Sequence, residues 1–166
     1  MQRTSLALTT AGMLLTATAA FAALTQADKS FATTAAQSGL AEVQAGQLAS
    51  QRATSPQVKQ YGQKLVTDHS QANDQLQQIA QQDNLTLPTQ PSAFEHAQGQ
   101  RLTGLSGSEF DKAFVTGEVR DHEQAIALFQ REAQSGRDPA LKDFAQKSLP
   151  MLRQHLQMAL SLNGQH

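Results

Sequence analysis

The sequence predicts an all-α protein in which four long helices pair into two hairpins, and three observations carry that prediction. Apolar residues recur at alternating steps of four and three along four separate stretches, the period of helices that each bury one face. Aromatic residues make up only 5% of the chain while Ala, Gln and Leu are abundant, a balance that suits helices and not sheets. A helix-opening segment also repeats: Pro56, Lys59, Gln63 and Lys64 return 83 residues later as Pro139, Lys142, Gln146 and Lys147. That period is too long for a solenoid of short units, so the repeated unit is a helical hairpin.

The chain opens on an export signal. Met1-Gln2-Arg3 supplies a positive start, Leu6 to Ala20 is apolar apart from threonines and one glycine, and Ala20-Phe21-Ala22 fits the small-x-small cleavage rule. Cleavage after Ala22 is expected, which makes 1–22 a signal peptide and 23–166 one domain placed in the periplasm or secreted. The same stretch, if retained, is about long enough for a membrane anchor. Without a single cysteine the domain can hold neither disulfides nor thiolate-bound metal. Loss of Arg3 with the signal leaves twelve basic and fourteen acidic residues, which offers no electrostatic footprint for nucleic acid. No stable membrane insertion is expected after cleavage, and self-association into a homo-oligomer stays open.

The first helix is expected over Ala27–Arg52, capped by Thr25 with Asp28 three residues on. Its seam is Phe31, Ala35, Ser38, Glu42, Ala45 and Ala49. Thr54-Ser55-Pro56 stops it and starts the second, with Ser55 as N-cap and Pro56 at the first helical position. The second helix, Pro56 to about Asp83, has the seam Val58, Gly62, Leu65, His69, Ala72, Leu76 and Ile79. From Asn84 the prolines and glycines mark a connector in which Ala93–Leu102 forms a short helix. Ser106-Gly107-Ser108-Glu109 reads as a capping box for the third long helix, whose face carries Phe110, Phe114, Val115, Glu118, Val119, His122, Ile126, Phe129 and Ala133. Gly136 ends it. Asp138-Pro139 starts the fourth, with the seam Leu141, Ala145, Ser148, Leu152, His155, Ala159 and Leu162 and a kink expected at Pro150. Two hairpins with a long link suggest a ferritin-like four-helix bundle with one crossover connection; a simple up-down-up-down bundle is the alternative.

Four polar residues interrupt these seams: Glu42, His69, His122 and His155. Glu42 stands 14 residues before Pro56 and His69 13 after it, so both lie about 20 Å from the first hairpin turn. His122 and His155 stand 17 before and 16 after Pro139, about 25 Å from the second turn. All four therefore meet near mid-bundle in either topology. Buried carboxylates and imidazoles are costly unless something satisfies them, and metals inside helical bundles are held by such inward-facing sets. The set suits one transition metal, Fe, Mn, Zn or Cu, with Asp68 and Asp121 as rim ligands or as groups that orient the neighbouring imidazoles. No helix carries the Glu-x-x-His repeat of di-iron bundles. The same layer equally suits a hydrogen-bonded cluster that sets helix register. A third reading, a redox enzyme using the metal, needs an open coordination position. His96 in the connector and His166 at the terminus are expected to be exposed, and no serine or cysteine arrangement supports nucleophilic catalysis.

The residues singled out above also resemble a family. Gly39-Leu-Ala-Glu-Val43, Thr67-Asp-His69, Leu105-Ser-Gly107 with Phe110-Asp111, Asp121-His122, Asp138-Pro-Ala-Leu-Lys142, Ser148-Leu-Pro150 and His155-Leu156 are similar to the pattern of a bacterial exported family catalogued as domain of unknown function 4142. The resemblance spans nearly all of the mature chain. It implies a ferritin-like four-helical fold, implies no particular activity, and carries its motif onto Glu42, Asp68, His69, Asp121, His122 and His155. It also places Pro150 within the pattern.

The functional expectation is thus an exported bundle with a transition metal in its polar layer. Its rival is a metal-free envelope stress or protein-interaction module whose buried polar cluster is structural.

Overall fold

A computed structural model describes residues 24–164. The predicted signal peptide and its cleavage site, and His166, lie outside the described residues. The elements are α1 (Gln26–Arg52), α2 (Pro56–Gln82), α3 (Ala93–Thr103), α4 (Gly107–Ser135) and α5 (Pro139–Asn163), all helices. Among the described residues no helix is long and apolar enough to cross a membrane.

The helix boundaries follow the local chemistry. Thr25 and Asp28 form the reciprocal capping box at the start of α1. Ser55 and Asp138 cap α2 and α5 through their side chains, each followed by a proline at the first turn. The box expected at Ser106 does not form: Ser106 makes no side-chain cap hydrogen bond. Gly107 enters the helix at φ 61°, so the first turn lacks the right-handed geometry that a capping box spans. α5 continues through Pro150.

α1 pairs with α2 and α4 with α5; α2 also packs on α5, and α1 on α4. Two buried aspartates set the ends. Asp28 at the start of α1 accepts hydrogen bonds from Arg137 N at 2.9 Å and Asp138 N at 3.4 Å in the α4–α5 turn. Asp111 at the start of α4 accepts from Thr54 N at 3.0 Å, Thr54 Oγ1 at 2.6 Å and Ser55 N at 2.7 Å in the α1–α2 turn. The two turns therefore lie at opposite ends of the bundle, and residues 83–106 return along its length. α3 rides over α1 on this path, through Ser38 Oγ to Glu95 at 2.8 Å and Arg52 to the Thr103 carbonyl at 2.6 Å.

Asp28 and Asp111 stand 83 residues apart, as do Phe31 and Phe114, Tyr61 and Phe144, and Pro56 and Pro139. The repeat thus extends into the starts of both hairpins, each hairpin's first helix clasping the other's turn. Glycine brings α1 and α2 close: a Cβ on Gly62 would stand 2.7 Å from the Gly46 carbonyl oxygen, and one on Gly46 2.6 Å from that of Gly62.

Two apolar cores result. One gathers Phe31, Leu76, Phe129, Leu141, Phe144 and Leu152 near the α4–α5 turn. The other gathers Val58, Tyr61, Leu65, Phe110, Phe114 and Leu162 near the α1–α2 turn.

Candidate metal centre

The polar layer occupies the middle of the bundle between these cores. Glu42 from α1, His69 from α2, Glu118 and His122 from α4 and His155 from α5 are all buried, with His122 and His155 at 1% and 0% exposure. The three imidazole rings stand 5.2–5.7 Å apart by centroid. One ligand atom from each of His69, His122 and His155 lies within 4.8 Å of the other two, and the same holds for Glu42, Glu118 and His122. The four sequence-predicted residues thus fall into two overlapping triads that share His122, with Glu118 joining Glu42 in the second.

Hydrogen bonds assign the ring protons. His155 Nε2 lies 2.7 Å from Asp68 Oδ2, which in turn meets Lys64 at 2.9 Å. Burial works against ionisation of Asp68, but Lys64 and His155 outweigh it and hold the carboxyl below its ordinary range. A carboxylate can only accept, so His155 Nε2 carries the hydrogen. His122 Nδ1 lies 2.9 Å from the Glu118 backbone carbonyl, another pure acceptor, so Nδ1 carries the hydrogen there. Burial lowers the pKa of all three histidines, most of all His69, where His122 and His155 add their repulsion. In neutral rings the remaining nitrogens hold lone pairs, and these are His122 Nε2 and His155 Nδ1, facing each other at 3.3 Å. Two lone pairs in contact repel unless a proton or a cation lies between them. The third nitrogen, His69 Nε2, is buried with no hydrogen-bond partner among the described residues.

A carboxyl pair lies beside the imidazoles. Glu42 and Glu118 each bring a carboxyl oxygen within 4.8 Å of the other's, and burial raises both pKa values, with Glu42 adding to the rise at Glu118. One oxygen of each, Oε2, is buried without a hydrogen-bond partner among the described residues, and that of Glu118 stands 3.5 Å from His122 Nδ1. Tyr61 closes this layer on the side of the second core, its ring 6.3 Å from His155; burial, then Glu118 and Glu42, push its hydroxyl up.

The two predicted aspartates part ways. Asp68 orients His155, as a group behind a ligand does. Asp121 pairs with Arg120 at 3.0 Å on a half-exposed rim and joins neither cluster. The sequence places Glu118 on the apolar face of α4 without marking it as a site residue. Its signal is its position four residues before His122 on the same helical face.

A family model covers residues 14–162, and its description is Domain of unknown function (DUF4142). The chain belongs to this family. The resemblance read from Glu42, His69, His122 and their flanking residues named the same DUF4142 family, whose match embraces every residue of the polar layer. No curated protein matches the chain. Among solved structures, a DUF305 fragment from Deinococcus radiodurans aligns with TM-score 0.75 at 15% identity, over 86% of this chain and 99% of that one. That likeness shows a shared helical fold.

Proposed function

We propose that this DUF4142 protein is exported by its N-terminal 22 residues, adopts a ferritin-like four-helix arrangement, and binds one transition-metal ion in its mid-bundle layer. The ferritin-like reading rests on the opposed hairpin turns and the returning connection, which match one-crossover bundles. The metal reading rests on a single observation, the 3.3 Å approach of two imidazole lone pairs. Nitrogens bound tetrahedrally at about 2.05 Å stand about 3.3 Å apart, so a cation turns the repulsion into ligation.

His69, His122 and His155 are the nitrogen ligands, and Glu42 or Glu118 is the carboxylate at the fourth position. Three imidazoles suit Zn, Cu or Fe, and the carboxylates extend the range toward Mn. The bound ion would supply a Lewis-acidic or redox-active centre in the envelope.

Metal analysis of untagged protein from native cells, followed by Co²⁺ and Zn²⁺ titration of chelator-treated protein, tests this. One ion per chain at micromolar or tighter affinity is expected, with His69→Ala and His122→Ala weakening it about 100-fold or more. Absence of binding by Fe, Mn, Cu and Zn sinks the metal reading. If His69→Leu then raises stability, the layer serves helix register.

A further inference from the structure

The two clasps share one design but differ at a buried side chain. Under the 83-residue repeat Glu132 matches Ala49, and Gly136 matches Ala53. Ala49 and Ala53 belong to the apolar core near the α1–α2 turn. Glu132, at 5% exposure, sits instead beside Asp28 and Asp138 at the other clasp. The glycine goes with it. Gly136 and Ala53 end their helices at nearly the same angles, φ −56° ψ 144° and φ −57° ψ 145°, each donating its N–H to the carbonyl four residues back. That backbone needs no glycine. A Cβ on Gly136 would collide with the Glu132 carboxyl as well as with its backbone carbonyl. Ala53 keeps its Cβ over the equivalent carbonyl, so the space that glycine leaves is the space of the carboxyl.

The surroundings disfavour a charge on Glu132. It lies in the last turn of α4, which holds no basic residue and carries the negative end of the helix dipole. Asp28 faces it from α1 and Asp138 from the start of α5, and Asp83 at the end of α2 stands near enough to Asp138 to feel its charge. Lys142, one turn into α5, is the opposing cation; its ammonium also lies 3.4 Å from the Gln134 carbonyl. Asp28 cannot take the proton instead. Its Oδ1 accepts from Arg137 N and Asp138 N and its Oδ2 from Thr25 N and Thr25 Oγ1, donors that hold it ionised despite burial. Glu132 Oε1 is buried with no hydrogen-bond partner among the described residues, a position tolerable only while the group is uncharged.

We propose that the Asp28 clasp is a proton-operated latch. With Glu132 uncharged, Asp28 holds the α4–α5 turn; when Glu132 ionises, its charge opposes Asp28 and Asp138 and the turn lets go of α1. The open turn returns the carboxyl to water, so opening releases a proton and is favoured as pH rises. The change runs from the ordinary carboxyl range to about 7 and levels off above it. The Asp111 clasp, with alanine at the matching place, stays closed throughout. One end of the bundle thus opens locally on proton loss while the other holds, and the metal layer takes no part.

The test is amide hydrogen exchange by NMR on the chelator-treated protein from about pH 5 to 8, each rate taken relative to that of an unstructured chain at the same pH. Protection at Arg137 and Asp138 should fall about fivefold or more over this range. Protection at Thr54 and Ser55, which donate to Asp111, should change less than about twofold. Glu132→Gln, of the same shape and uncharged, should hold the Arg137 and Asp138 protection constant, as should Glu132→Ala, the residue at the matching position. A fall of equal size at both clasps, no fall at Arg137 and Asp138, or a fall that persists in Glu132→Gln would overturn the proposal. The two clasps are compared within the wild type, so that arm stands whether or not a variant folds.

Discussion

His155 illustrates how one carboxylate decides what a histidine can do. Asp68 takes the Nε2 hydrogen at 2.7 Å, which commits the Nδ1 lone pair to the interior, toward His122. Removing that charge should disturb the ligand without removing it. Asp68→Asn is expected to weaken Co²⁺ or Zn²⁺ binding about 10–100-fold, read by competition against a chelator. Asp121→Asn, a change at the half-exposed Arg120 pair, should leave the affinity unchanged; equal loss in both variants would refute the division of labour. Both aspartates precede a histidine in the sequence, and spacing alone could not separate them. A residue one step along a helix turns by about 100°, and only the packing of α2 against α5 brings Asp68 to a histidine on another helix.

At the scale of the helix, small residues act in two opposite ways. On α1 and α2 the pair Gly46 and Gly62 lets backbones meet, with no space for a methyl group. Gly62→Ala should therefore destabilise the protein by about 1–3 kcal/mol in urea melts, although alanine is the better helix former by about 1 kcal/mol. Gly99→Ala on α3, where a Cβ meets nothing within 4 Å, should instead be neutral or stabilising by up to about 1 kcal/mol. A stabilised Gly62→Ala would show that the two helices can part at little cost. The four-three spacing identified the seams of all four long helices, and the caps at Thr25, Ser55 and Asp138 were legible because side-chain capping is local. The failed box at Ser106 was not, since the φ of Gly107 is a property of how the crossing connection arrives.

The whole molecule is tied together by the hairpin clasps. Glu132 sits beside Asp28 and Asp138 at one of them, and burial, then Asp28, raise its carboxyl to about 7. A folded pKa above the unfolded one means the folded chain binds the extra proton. The associated stability is full below about pH 4.5 and is lost as pH rises through 7. Glu132→Gln, uncharged throughout, should match the wild type near pH 4 and exceed it by about 1 kcal/mol at pH 8. Chemical melts of the metal-free protein at both values check this, and an advantage for the variant at pH 4 alone would reverse the sign. The clasps also explain the legibility of the fold: Pro56 and Pro139 exposed the repeat, while Asp28 and Asp111, its most informative pair, look like ordinary cap and surface residues until both are seen buried.

What the sequence by itself determined is periodic and local: four amphipathic helices, their turns, the hairpin repeat, the family, and the level at which Glu42, His69, His122 and His155 meet. Periodicity places a residue on a face and counting places it at a height, and neither needs the rest of the chain. Only the tertiary structure decided that the hairpins oppose each other, that Glu118 joins the layer, and that Asp68 serves it and Asp121 does not. Those outcomes depend on which faces of different helices touch and how closely, and contact between distant segments is set by packing of the whole bundle.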